Sequence, residues 1–192
     1  VAHAAELGNP MPEHPMLFLK PPSALIGNGD AIVLPPASSR VEFEGEIGVV
    51  IGRRFAGGTS RDAEAAIGGF TCLNDVTARD LQKTDGQWGR AKGFDTFCPA
   101  GPRVASGLDW RDLELITRVN GAERQRARSA NMHVSIPDLL VFIGGIMTLE
   151  PGDLVATGTP AGVGPLAAGD VVDVEITGIG VLTNPVVQGE MR

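Results

Sequence analysis

The sequence predicts a mostly β, α+β domain with two or three short helices. Three observations predict it. The 192 residues include 26 Gly and 14 Pro but few aromatics and no Tyr, which favours many turns and short strands over a helical bundle. Residues 41–52 read VEFEGEIGVVIG, where three glutamates at every second position run into an apolar stretch. Residues 112–128 read DLELITRVNGAERQRAR, two strand-like segments about Asn120-Gly121, a strong hairpin signal.

The remaining elements follow in order. Residues 2–7 (AHAAEL) favour a short helix closed by Gly8 and broken by Pro10, and 9–15 form a loop. MLFLK, residues 16–20, reads as a short strand ended by Pro21 and Pro22, and AIVLP within 27–40 as another. Residues 41–51 give the strongest strand. SRDAEAAIGGF carries a helix capped by Ser60, with Ala63, Ala66 and Ile67 at helical spacing. FTCLNDVTA is a strand entering a loop or short helix, and residues 83–100 read as a long surface loop. IPDLLVFIGGIMTL is a helix opened by Pro137 with Ser135 as its cap. PGDLVATG, AAGDVVDVEIT and GVLTNPVV are closing strands separated by glycine-rich turns. No internal repeat or low-complexity linker interrupts 1–192, so one domain is expected.

Composition excludes several function classes. A formal net charge of −7 argues against nucleic acid and against an anionic membrane surface. No apolar run approaches the ~20 residues of a membrane span. Cys72 and Cys98 are too few for a disulfide scaffold, so a reducing, cytoplasmic setting is expected. The chain begins at Val1 rather than Met, and its natural N-terminus is expected upstream.

Four constellations could carry chemistry. Glu42, Glu44 and Glu46 would share one strand face, either solvated or holding a divalent cation, since hard ions such as Mg²⁺ and Mn²⁺ prefer carboxylate oxygen. Asp75 at a strand end is the best third ligand. Asp80 is an alternative, but it neighbours Arg79 and can simply pair with it. In AKGFDTFCPAGP, Lys92 could meet a substrate carboxylate, although a solvated surface lysine is the simpler reading. ATGTPAGVG, residues 156–164, lacks a Walker ending. It is either an anion-binding nest or an ordinary turn. His3 and Glu6 lie three apart, on one face of a short helix, where a carboxylate would raise imidazole basicity; two solvated polar groups are the plainer alternative.

Together EFEGEIGVVIG, GFTCLNDVTARDLQ, AKGFDTFCPAGP and ATGTPAGVG, in this order, resemble the fumarylacetoacetate hydrolase superfamily from HAAELG to the last strand. The resemblance implies a mixed β-roll-like catalytic domain, a homodimer, and Mg²⁺- or Mn²⁺-dependent action on small 2-oxo acids. It implies Glu44, Glu46 and Asp75 as metal ligands, with Glu42 an outer structural acid. It implies Arg79, Gln82 and Lys92 as lining the substrate pocket, with Lys92 catalytic and, with Arg79, neutralising substrate or developing charge, and Thr159 as meeting the substrate carboxylate through backbone and side chain. His3 and Glu6 match a His-x-x-Glu base pair on a lid segment, here within residues 1–15. The Asn-Tyr pair that usually stands upstream of that histidine is not in this chain.

The chemistry implied is an enolate that serves isomerisation, decarboxylation or C–C hydrolysis. HAAELG and FLKPPSAL look closest to the 2-hydroxyhepta-2,4-diene-1,7-dioate isomerase and 5-oxopent-3-ene-1,2,5-tricarboxylate decarboxylase type, acting on dicarboxylic 2-oxo acids of aromatic catabolism. Acylpyruvate or fumarylpyruvate hydrolysis and oxaloacetate decarboxylation or tautomerisation are the alternatives. A catalytically silent metal-binding domain is the non-enzyme alternative.

Overall fold

A computed structural model describes residues 14–190. The helix expected at 2–7, with His3 and Glu6, lies outside the described residues. Within them the chain is mostly β, with few helices and curled sheets.

The strands are β1 (Leu25–Ile26), β2 (Ile32–Leu34), β3 (Val41–Phe43), β4 (Gly45–Ile51), β5 (Ile67–Asn74), β6 (Thr77–Ala78), β7 (Cys98–Ala105), β8 (Glu114–Val119), β9 (Ala122–Arg128), β10 (Leu154–Ala156), β11 (Gly164–Pro165), β12 (Val171–Ile176) and β13 (Gly180–Gln188). One sheet orders β1-β7-β5-β4-β10, a second β2-β13-β12-β8-β9, and a small third β11-β3-β6. The two five-stranded sheets meet through β7 against β13 and β5 against β12. Between them lie Ile47, Val49, Phe70, Val172, Val174 and Leu182, all buried. Each such side chain contributes ~1.5–3 kcal/mol by leaving water.

The α-helices are α1 (Ser60–Glu64), α2 (Arg79–Asp85), α3 (Gly89–Lys92) and α4 (Ile136–Gly144). Thr59, not Ser60, caps α1: its hydroxyl and the Asp62 carboxylate form a reciprocal capping box. Ser60 instead donates to Asp138 at 2.5 Å, tying α1 to α4. Ser135 caps α4 as expected, taking the Asp138 N–H, with Pro137 in the first turn. The β8–β9 hairpin turns at Asn120 (φ 52°) and Gly121 (φ 76°), the paired positive φ values that favour Asn-Gly there.

Three expectations need correction. Met16–Lys20 forms no strand; prolines flank it, and Lys20 turns inward to the acidic cluster. The long strand at 41–51 is two, because the chain changes sheets at Glu44. The Glu44 N–H leaves the ladder and is taken by the Asn74 side-chain oxygen at 2.9 Å. Residues 83–100 are not one long surface loop: 83–90 do lie at the surface, but the range holds the end of α2, all of α3 and the start of β7. Trp88, Phe94 and Phe97 carry this segment inward, and Ala91 and Phe97 are fully buried. Among the described residues no helix is long and apolar enough to cross a membrane. Both cysteines are free and buried.

Candidate active site

Register builds the site. Antiparallel pairing sets Gly45 opposite Asn74, so the glutamates on either side of Gly45 lie beside Asp75, the first residue past β5. The Asp75 N–H donates to the Glu44 carbonyl at 2.8 Å and fixes that junction. One oxygen each of Glu44, Glu46 and Asp75 falls within 4.8 Å of the others, and all three residues are buried. The cluster requires glycine between its two glutamates: a Cβ on Gly45 would stand 1.9 Å from the Thr117 hydroxyl.

Buried carboxylates this close demand counter-charge. The protein supplies it along an alternating chain of cations and acids. Arg40 donates to Glu42 at 2.6 Å. Arg79 donates through Nε to the other Glu42 oxygen at 2.6 Å, through Nη2 to Glu44 and through Nη1 to Gln82 at 2.6 Å. Lys92 bridges Glu44 at 2.9 Å and Asp75 at 2.5 Å. Lys20 takes the second Asp75 oxygen at 2.6 Å. With Glu46, four carboxylates therefore face four cations.

The groups respond differently. Burial raises the Asp75 carboxyl, but Lys92 and Lys20 outweigh it and hold it below the usual range. Burial pulls Lys92 down, yet Asp75 and Glu44 more than reverse this, so the ammonium keeps its proton. Glu42 is also held low, Arg79 and Arg40 overcoming its burial. Glu46 goes the other way. Burial, then the charges of Asp75 and Glu44, push its carboxyl well above the usual range, and the Lys92 charge and the Gly158 N–H at 2.7 Å offset only part of this.

Lys92, read most simply as a surface residue, is 2% exposed. Its ammonium lies 4.9 Å from the Phe18 ring centre and 6.0 Å from that of Trp88. Arg79 is just as buried, with Nε, Nη1 and Nη2 all donating within the protein. It thus organises the acids and Gln82 with three of its five N–H donors. Gln82 accepts from Arg79 through Oε1, which leaves its amide NH₂ available as a donor. Asp80 belongs to neither the metal cluster nor an Arg79 pair: it accepts from Ser38 and Ser39.

A cavity of about 610 Å³ opens beside Glu46. Gly158, Thr159, Pro160, Met132, His133 and Leu139 are among the residues that line it. Arg79, Gln82 and Lys92 are not among its lining residues; Arg79 and Lys92 sit among the carboxylates themselves.

An all-oxygen set from three buried carboxylates, one of them electrostatically uncomfortable as an anion, suits Mg²⁺ or Mn²⁺. Glu44, Glu46 and Asp75 would hold it. Two residues with a part here escape a sequence reading. Lys20 sits in an extended segment whose only signal is a lysine before two prolines. Gln125 lies in the largely polar AERQRAR, where no periodicity marks it as buried.

The model of the fumarylacetoacetate (FAA) hydrolase C-terminal family matches residues 1–187. The 5-carboxymethyl-2-hydroxymuconate delta-isomerase of Mycobacterium smegmatis is 49% identical with a TM-score of 0.92, covering 100% of this chain and 76% of that one. The 2-hydroxyhepta-2,4-diene-1,7-dioate isomerase of Mycobacterium marinum is 51% identical with a TM-score of 0.91, covering 94% and 71%. Oxaloacetate tautomerase YisK of Bacillus subtilis is 41% identical, over 96% of this chain and 65% of that protein. The chain belongs to the fumarylacetoacetate hydrolase family, an enzyme family whose matched members include isomerases, tautomerases and hydrolases.

Proposed function

We propose that this protein is a Mg²⁺- or Mn²⁺-dependent isomerase or tautomerase of a dicarboxylic 2-oxo acid, of the kind produced in aromatic catabolism. The observation that carries the reading is the set of three buried carboxylates, of which Glu46 lines a cavity, with counter-cations built into the fold. A bound divalent cation would supply Lewis acidity that stabilises negative charge on the keto oxygen of the acid.

The chain's own groups do the rest. Four acids and four cations cancel formally, so any added cation leaves the site positive. That favours an anionic acid, and favours its more negative enolate further. Lys92, which keeps its proton, acts as fixed charge and donor, not as base. Gln82 offers its NH₂ to a substrate oxygen. Thr159 and Gly158 line the cavity together with Glu46. Moving a proton between carbon and oxygen needs a base, and His3 with Glu6 is our assignment for it.

The same electron sink would permit loss of a β-carboxylate, so decarboxylation is the second reading. C–C hydrolysis needs an activated water as well, a second task that would fall to the same His3 and Glu6. Isomerisation asks the least of the groups in hand. Two buried, unpaired thiols fit our placement in a reducing cytoplasm. We also assign a homodimer, to which the exposed apolar Met16, Leu19 and Leu25 would lend area.

The test uses oxaloacetate and 2-hydroxyhepta-2,4-diene-1,7-dioate with Mg²⁺, Mn²⁺ or EDTA. We expect metal-dependent decay of enol absorbance and deuterium incorporation at C3 of oxaloacetate in D₂O. A protein that binds Mn²⁺ yet exchanges no C3 proton and isomerises neither acid would overturn the proposal and favour a silent metal-binding domain.

A further inference from the structure

We propose that Gln125 is a positioning residue. It fastens the turn at residues 158–160 to the strand between Glu44 and Glu46, so that the turn meets substrate through the Thr159 main-chain N–H, not the Thr159 hydroxyl. This rests on the reading that a 2-oxo acid binds beside Glu46.

Gln125 is 2% exposed and uses its whole carboxamide. Its oxygen accepts the Gly45 N–H at 3.0 Å. Its NH₂ donates to the Thr159 hydroxyl at 2.8 Å and the Pro160 carbonyl at 3.0 Å. The Thr159 hydroxyl in turn donates to the Gly45 carbonyl at 2.9 Å. A threonine hydroxyl carries one proton, and that proton is committed inside the protein. Among the described residues no acceptor takes the Thr159 N–H, and the neighbouring Gly158 N–H already serves Glu46.

Glycines let the three segments close on Gln125. A Cβ on Gly45 would lie 3.1 Å from its oxygen. A Cβ on Gly162, where φ is +101°, would lie 2.1 Å from the Arg124 carbonyl and 3.2 Å from the Gln125 Cγ. The turn is thus pressed against β9 as well as bonded to it. The arrangement resembles a preformed anion seat, its N–H aimed by bonds that the ligand does not have to make.

Gln125→Leu keeps side-chain bulk and removes all three bonds. We expect the KM for oxaloacetate to rise about tenfold with kcat within about threefold, the pattern of lost ground-state binding. Mn²⁺ affinity of the metal-free protein, by calorimetry, should stay within about twofold, because no metal ligand changes. Thr159→Val should do the same, and the double variant should be no worse than either single, since both cut one network. Thr159→Ser, which retains the hydroxyl, should recover most of the loss. Amide hydrogen exchange over residues 156–164 should quicken about tenfold in Gln125→Leu. A KM raised by Thr159→Val but untouched by Gln125→Leu would mean that the hydroxyl contacts substrate directly, and would overturn the inference. If no 2-oxo acid is turned over, the functional proposal fails on its own, while unchanged exchange in Gln125→Leu would still refute the fastening.

Discussion

Glu46 is the residue where binding and stability pull apart. It is buried, stands beside two other carboxylates, and receives one backbone N–H. Glu46→Gln removes a repulsion that a metal would otherwise relieve. The metal-free variant should therefore melt a few degrees above wild type, a gain of ~1 kcal/mol, while losing at least ~100-fold in Mn²⁺ affinity. Thermal unfolding in EDTA and calorimetric titration check the two halves separately; equal melting temperatures would show Glu46 at ease without metal. Lys92 is the opposite case. Its ammonium is the one cation shared by Glu44 and Asp75. Lys92→Met would leave buried charge short of a partner, and the metal-free variant should lose ~3–5 kcal/mol. Millimolar Mn²⁺ should return part of that loss, because a dication can occupy the vacated charge. A loss that Mn²⁺ leaves untouched would mean lost packing against Phe18 and Trp88, not lost charge.

Among the elements, α2 carries the most by its first residues: Arg79 reaches inward to Glu42 and Glu44, while Asp80 clamps the Ser38–Ser39 turn from outside. Burial would raise the Asp80 carboxyl, but bonds from Ser38 and Ser39 hold it at about 2. A depressed carboxyl stabilises the fold above its unfolded value of 3.8 and loses that contribution as pH falls through about 2. Asp80→Asn should cost ~1 kcal/mol near neutrality, screening reducing the full linkage value, and the gap from wild type should close as pH approaches 2. A gap constant with pH would assign the effect to shape instead of charge. The same elements show what sequence reveals. The Glu-x-Glu-x-Glu alternation marks the acids that cluster but hides the break at Glu44 that puts Glu42 and Glu46 in different sheets, whereas the Asn-Gly hairpin is legible because few residues tolerate two positive φ values in a row. α3 was unreadable because four residues carry no period, and an inward Lys92 looks like any lysine until Phe18 and Trp88 enclose it. Gln125 was hidden for a related reason: its burial comes from the turn at residues 158–162 lying over β9, a contact between segments distant in sequence.

For the whole molecule, the acidic cluster ties fold stability to pH and to metal in opposite senses. Glu46 has a folded value raised well above its unfolded 4.5. Its contribution is then fully present below 4.5 and is lost as pH rises through the folded value, where the side chain must ionise next to Asp75 and Glu44. Metal binding needs that same ionised form, so affinity should grow with pH over the same interval. Metal-free and metal-loaded protein should accordingly diverge: the first loses stability relative to Glu46→Gln as pH rises from 4.5, while the second gains. At a free Mn²⁺ concentration one hundred times the Kd, linkage adds ~2.7 kcal/mol, enough to resolve by melting. The measurement is a set of melting curves of wild type and Glu46→Gln, with EDTA and with Mn²⁺, stepped upward from pH 4.5. Subtracting the variant removes every other titrating group common to both. Parallel curves for the two metal-free proteins would show that the cluster's four built-in cations already satisfy all four carboxylates, and that a divalent ion has no electrostatic vacancy to fill.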